Sequence, residues 1–432
     1  MSVRFAAAPP EVQAALRNCL LYNLSMALAV DVATDSLGKA LGSVAQCPGP
    51  ARLIHGRGTR SAADAAFVNA GLITSRGQND THPDVVTHIG CIVIPAVLAL
   101  AEERAAPLSD VLDAILTGYE AIPRLAHGLA NESGRRGFRA TPVYGVLGAA
   151  LAGARLMRLS GSQTAHALSI ATHCAGGLMQ TWLDGSQEWR LQVAKASRDA
   201  VTSVKLAQSG LRGSDHCLDG TAGVAAAFAG QPFAFDASGW KILDVAFKPY
   251  PGCAFNQAPV HALRLLIRQK GIDPRRIASV DVRMHPTDAN YPGVNAYGPF
   301  SSPSGAIMSG PFMLAATLRD GLPRVAHFDK EFGASPFHEN SRKVRILADP
   351  SVARWQCRLA VTLADGTVHD MRFEEPRPFV FDWARTVELC EQVSQEWPMP
   401  PDLRQARFSA LAGAVQALAS DEDWQALRGA IY

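Results

Sequence analysis

Four separated stretches of this chain carry side chains able to move protons or hold anions. The first is a turn-rich loop with Arg76, Asp80, Thr81, His82 and His88. The second, Gly137 to Gly145, brings Arg139 and Tyr144 into a Gly- and Ala-rich helix start. The third runs from Asp184 through Arg190 to Lys195 and Arg198, and the fourth is the turn Lys248-Pro249-Tyr250-Pro251 with Cys253 close behind. Guanidinium groups grip carboxylates in bidentate fashion, while imidazole or phenol moves a proton from the adjacent carbon. The chemistry that fits is proton abstraction alpha to a carboxylate of a small dicarboxylate or polycarboxylate. Loss of water, loss of carbon dioxide or return of a proton to the opposite face can follow. Plainer readings stand beside this one: a polar loop before a buried helix is also a cap, and Lys195, Arg198 and Lys248 also read as solvated cations.

What the chain lacks narrows the field. It has no HxxxH, no CxxC, no clustered carboxylates, no GxGxxG after a strand and no Walker sequence, so neither a metal nor a cofactor is expected. The eight cysteines are scattered, as in a reduced, cytoplasmic protein. A net charge of +2 gives no global field for nucleic acid or a membrane surface, so any attraction of substrate must be local. The longest apolar run, Ile89 to Ala101, is shorter than the roughly 20 residues a membrane span needs.

The 432 residues exceed what one core usually sustains, which predicts two domains. From Glu11 to about Phe228 the pattern is Ala- and Leu-rich with helical periodicity, including Leu108 to Leu125, Val143 to Leu159, Ser162 to Ala175 and Ala194 to Ser209. Beyond Lys248 the texture changes. A helix from about Pro259 to Lys270 precedes strand-like runs at Ile277 to Met284, Lys343 to Ala348, Gln356 to Leu363 and, after an Asp365-Gly366 turn, Thr367 to Phe373. The tail from Asp402 to Ile431 is helical again. The expected fold is therefore mainly α. A large all-helical bundle (1–250, completed by 394–432) carries a smaller α+β lid (251–393), with a cleft at their junction.

The order of motifs resembles the MmgE/PrpD family. The landmarks are Asp35-Ser36-Leu37-Gly38, Asn69-Ala70-Gly71, Asp80-Thr81 followed by His88, Gly137-Phe138 with Thr141 and Gly145, Ala196-Ser197-Arg198, and Phe247-Lys248-Pro249-Tyr250-Pro251. The resemblance covers nearly the whole chain. It implies a homodimer and a cofactor-independent active site between the two domains, with Asp80, Thr81 and His88 in the site loop and Lys248 facing the substrate. It also implies the family's reactions: 2-methylcitrate dehydration, cis-aconitate decarboxylation or iminodisuccinate epimerisation.

Departures from the pattern guide the choice among these. Arg139 stands where decarboxylase and dehydratase members have His. Trp189, followed by Arg190, stands near their lysine, and Phe312 replaces a tyrosine. Arg139 cannot act as a general acid near neutral pH and is expected to bind a carboxylate. Epimerisation needs only an acid and a base about one acidic carbon, so an iminodisuccinate epimerase-like reaction on an amino- or imino-dicarboxylate is the first expectation. His88, Tyr144, Lys248 and His82 are then catalytic candidates, and Asp80, Thr81, Arg76, Arg139, Arg190 and Cys253 bind substrate. A hydro-lyase or decarboxylase is the alternative, and a non-catalytic polycarboxylate binder the second alternative.

Overall fold

The computed structural model describes residues 3–333 and 335–432. Helices dominate, as the Ala- and Leu-rich texture requires, and their ends follow local chemistry. Ser160 opens the Gly161–Thr172 helix with a reciprocal capping box, its hydroxyl accepting from the Gln163 N–H while the Gln163 side chain accepts from Ser160 N–H. Gly271, at φ 61°, ends the Gln257–Lys270 helix in the left-handed conformation.

Three helices fix the geometry of the seam: Gly90–Arg104, Leu108–Ala126 and Ala140–Leu156. They approach so closely that a Cβ on Gly145 would lie 2.4 Å from Ile92 Cδ1, and one on Gly148 would lie 2.2 Å from Ile122 Cγ1. Two of them, Gly90–Arg104 and Ala140–Leu156, start at the same end of the bundle. Their leading residues are therefore neighbours, and Thr141 Oγ1 accepts from the His88 N–H at 3.1 Å.

The smaller part carries a four-stranded sheet. Ile277–Met284 lies centrally, parallel to Val344–Ala348 and antiparallel to Cys357–Leu363, which pairs on with Val368–Phe373. Val280, Val282, Val344, Leu359 and Val361 alternate onto one buried face, against which the helices Gln257–Lys270 and Gly310–Asp320 pack. The architecture is thus mainly α, a large helical bundle with a smaller α+β lid.

Two apolar cores underlie it. One gathers buried residues from Val3 to Phe247 and again from Leu389 to Ile431. The other spans Tyr250 to Phe373 and also takes in Trp182 and Trp189, contributed by the bundle side of the chain. The helix Trp383–Ser394 sends Leu389, Cys390 and Val393 into the first core. Among the described residues no helix is long and apolar enough to cross a membrane.

Candidate active site

Backbone pairing brings the distant loops together. Thr81 and Ala246 exchange N–H···O bonds of 2.8 and 2.9 Å, which sets the Phe247-Lys248 turn against the Asp80-Thr81 loop. Tyr22 clamps the turn, its hydroxyl donating to the Lys248 carbonyl at 3.0 Å and accepting from the Lys248 N–H at 3.2 Å. Gln78 Nε2 donates to the Lys248 and Pro249 carbonyls, each at 3.2 Å. Lys248 is held by both sides of the seam.

The pocket that results is narrow, with a cavity volume of ≈ 40 Å³, room for about one water. His88, Arg139, Lys248, Cys253, Tyr291 and the indoles of Trp182 and Trp189 line it. His88 Nδ1 lies 3.0 Å from the Asp80 carbonyl and 3.0 Å from Thr81 Oγ1. A carbonyl only accepts, so Nδ1 carries the proton and Nε2 is the free base. Burial, reinforced by the charges of Lys248 and Arg139, pulls the imidazole well below its ordinary pKa, so it is neutral near pH 7.

The cations are arranged differently. Lys248 Nζ donates to the carbonyls of Gly77 at 2.8 Å and Gly252 at 3.2 Å, and burial, with help from Arg139, pulls it down to about 8. Arg139 donates to the Trp189 carbonyl at 2.7 Å and stacks over Trp182 at 5.1 Å from the ring centre. Among the described residues neither cation has a carboxylate within ion-pair distance. A buried charge left this way is costly unless a ligand of opposite sign completes it.

The remaining sequence candidates lie elsewhere. Asp80 sits behind the pocket: its carboxylate accepts from Gly90 N–H at 3.0 Å and Asn23 at 2.9 Å and also bonds the Tyr119 hydroxyl. It caps the start of the Gly90–Arg104 helix by accepting from its first N–H. Thr81 orients His88 and does not line the pocket. Four other candidates fall outside the walls of this pocket. Arg190 is spent on Asp35 through two bonds of 2.8 and 2.7 Å, and Arg76 on Glu396 at 3.0 Å and Gln78, so neither guanidinium faces the pocket. Tyr144 is fully buried in the bundle and donates to Ser133 Oγ at 3.2 Å, out of reach of any ligand in the pocket. His82 is buried beside the loop with neither ring nitrogen hydrogen-bonded and is likewise absent from the walls; burial pulls it down to about 4.

Tyr291 and Trp182 are pocket residues that sequence reasoning missed. Tyr291 follows the short Pro286–Ala289 helix of the lid, and burial pushes its phenol up to about 12 against the opposing field of Arg139. It shares the pocket with His88. The Tyr291-Pro292-Gly293 run signals only a turn, and not which cavity the phenol meets. All eight cysteines are free; Cys47 is exposed, while Cys19, Cys91, Cys253, Cys357 and Cys390 are buried. Among the described residues no three His, Cys, Asp or Glu side chains converge as a metal site.

Comparison with known proteins gives matches along most of the chain. Residues 1–236 match the MmgE/PrpD N-terminal domain and residues 250–394 the MmgE/PrpD C-terminal domain. A cis-aconitate decarboxylase-like protein, oryM, of Aspergillus oryzae is 32% identical over 163 residues, 36% of this chain and 34% of its own. A cis-aconitate decarboxylase of Aspergillus terreus is 26% identical over 324 residues, 69% of this chain and 66% of its own. The matches therefore span less than two thirds of either relative's length.

Proposed function

The chain belongs to the MmgE/PrpD family, and from that premise we propose that it is a lyase acting on a small polycarboxylate, of the decarboxylase or hydro-lyase type, by acid–base chemistry. The observation that carries the reading is a neutral His88 sharing one buried pocket with two cations, Arg139 and Lys248, that have no carboxylate partner among the described residues. The two cations hold substrate carboxylates and stabilise negative charge as it develops on carbon and oxygen. For loss of water, His88 Nε2 takes the proton from the carbon, and Tyr291, or Lys248 while it remains an ammonium, supplies one to the departing hydroxyl, which leaves as water. For loss of carbon dioxide no C–H bond breaks, and the electron pair left on carbon takes its proton from one of these acids. Environments that push the pKa values of base and acid apart are how one pocket keeps both roles filled. Because the cavity is so narrow, substrate enters only if the lid and the bundle part around Trp182 and Tyr291.

We favour the lyase reading over the epimerisation expected from the departed motifs, since the relatives are a cis-aconitate decarboxylase and a cis-aconitate decarboxylase-like protein. Epimerisation remains a second reading on one observation: Trp189, its indole N–H bonded to Ser304 at 3.1 Å, adds an apolar wall where the family pattern has a proton-carrying lysine. The purified protein incubated with cis-aconitate, hydroxy-tricarboxylates and amino- or imino-dicarboxylates distinguishes them. Carbon dioxide release or growth of unsaturated-acid absorbance supports the lyase. Deuterium incorporation with inversion and no net conversion supports the epimerase, and absence of both turnover and binding across the panel overturns the proposal.

A further inference from the structure

One stripe of the lid carries cations that the polar pocket does not use. His261, Arg264 and Arg268 recur at helical spacing along the Gln257–Lys270 helix and so share a face. Arg385, from the Trp383–Ser394 helix, joins them around a cavity of ≈ 950 Å³. Much of its floor is aromatic. Phe373 and Phe379 stack with ring centres 5.7 Å apart, and His261 meets them edge-on at 5.3 and 5.6 Å. Tyr250 lies under Arg264 and Phe381 under Arg385, each guanidinium 5.2 Å from the ring centre. His261, Phe379 and Phe381 are half-buried, so ring surface stays open to a ligand.

Stacking occupies the face of a guanidinium and leaves its N–H edge for a partner. Those edges are hardly used. Arg264 donates to the Tyr250 hydroxyl at 2.7 Å, while the side chains of Arg268 and Arg385 make no hydrogen bond among the described residues, and none of the three has a carboxylate within ion-pair distance. Burial, and then the charges of Arg385, Arg264 and Arg268, pull His261 down to about 4, so the three fields converge on one imidazole.

The other charged residues of the cavity narrow the ligand. Asp382 is spent capping the Trp383–Ser394 helix, where it accepts from the Arg385 N–H at 2.8 Å, and Arg377 is spent on Asp244 at 2.6 Å. Glu375 and Glu388 are unpaired among the described residues. A bare polyanion would meet both carboxylates as repulsion, whereas a ligand with hydroxyl donors beside its anionic groups uses them as acceptors. Size points the same way: the cavity is at the upper end of the roughly 300–1,000 Å³ of small-molecule sites, and a lone phosphate or dicarboxylate fills little of it.

We propose that this cavity binds a nucleoside diphosphate, its phosphates on the edges of Arg264, Arg268 and Arg385, its ribose hydroxyls on Glu375 or Glu388, and its base on the aromatic floor. The site shares no lining residue with the polar pocket and stands whatever that pocket turns over.

The test is calorimetric titration of the full chain with ADP free of divalent metal, beside pyrophosphate and adenosine. ADP binds about tenfold or more tighter than either, because stacking and charge-assisted bonds then act together. Arg268→Glu and Arg385→Glu, at exposed positions, each weaken ADP about tenfold, and circular dichroism verifies that both variants fold. Lys270→Glu makes the same charge change on the same helix outside the cavity and leaves the affinity within about twofold. Pyrophosphate or adenosine binding as tightly as ADP overturns the nucleotide class. No binding of ADP, an affinity unchanged in both cavity variants, or an equal loss in Lys270→Glu overturns the site.

Discussion

Four cations lie along this seam, Arg76, Arg139 and Lys248 buried and Arg190 partly so, and they divide into two regions. Arg76 and Arg190 lie outside the pocket, each tied to a carboxylate, Glu396 or Asp35. Arg139 and Lys248 lie inside it and, among the described residues, hydrogen-bond carbonyl oxygens and no carboxylate. In the first region the charge is neutralised within the protein and its role is to join elements. In the second it is left for something that arrives. Burial alone does not distinguish the two, since Arg76, Arg139 and Lys248 are each 4% exposed. The partner does.

The largest effect belongs to the neutral base set between the unpaired cations. His88→Gln retains a donor and acceptor of similar reach and removes proton transfer, so turnover falls by about 10²- to 10⁴-fold while KM changes little. Steady-state kinetics on whichever polyacid is turned over is the check, and an unchanged kcat removes His88 from the mechanism.

The comparison itself is tested by crossing two variants against two measurements. Arg139→Gln weakens polycarboxylate binding by about 10- to 100-fold, because a charge-assisted bond to the ligand is lost, and leaves the melting temperature level or raised. Arg190→Met leaves affinity alone and lowers the melting temperature by several degrees. It strands Asp35, a loss of about 3 kcal/mol for a mostly buried pair. Asp35 makes the second variant pH-sensitive. Burial pushes its carboxyl up, Arg190 outweighs that, and the folded pKa lies below the ordinary value. The pair's contribution is therefore present above the unfolded pKa and is lost as the pH falls through the folded one. If Arg190→Met weakens binding as strongly as Arg139→Gln, the division is wrong.

A smaller effect follows from Lys248, lowered to about 8. It binds an anion only while protonated, so affinity for a dicarboxylate declines as the pH rises through that value, by about tenfold per unit above it. On the acid side the neutral state of His88 persists to well below its ordinary pKa, so loss of the base begins only there. Arg139→Gln removes a like charge and moves the alkaline limb upward. Calorimetric titration at a series of pH values reads both, and an alkaline limb that stays in place in the variant argues against coupling between the two cations.

The helical bundle was legible because its pattern is local. Leu108 to Leu125 is observed as Leu108–Ala126, and Ile277 to Met284 as Ile277–Met284. The helix read from Ala194 begins at Glu188, since its first turns pack Trp189 into the lid's core and so break the expected apolar stripe. In the site, His88 and Lys248 were legible from loop chemistry. The fates of Arg76 and Arg190 were not, because Glu396 and Asp35 lie far along the chain and no spacing rule links them. Tyr291 was hidden for the same reason: its place in the pocket depends on how the lid packs on the bundle.

Tyr144 gives the comparison its smallest and sharpest test. By type and position it looked like an acid for the pocket; in the fold its ring is enclosed by the bundle and its hydroxyl is satisfied by Ser133. Tyr144→Phe removes one buried hydrogen bond and leaves Ser133 Oγ with its remaining bond to the Ala130 carbonyl at 3.0 Å, so the cost is about 1 kcal/mol of stability. Turnover stays within about twofold of the parent, because no step of proton transfer passes through a phenol that ligand does not meet. Tyr291→Phe, on the opposite wall, lowers kcat and leaves stability nearly level. If the two variants exchange these behaviours, so that Tyr144→Phe loses turnover at an unchanged melting temperature, the acid has been placed on the wrong side of the seam.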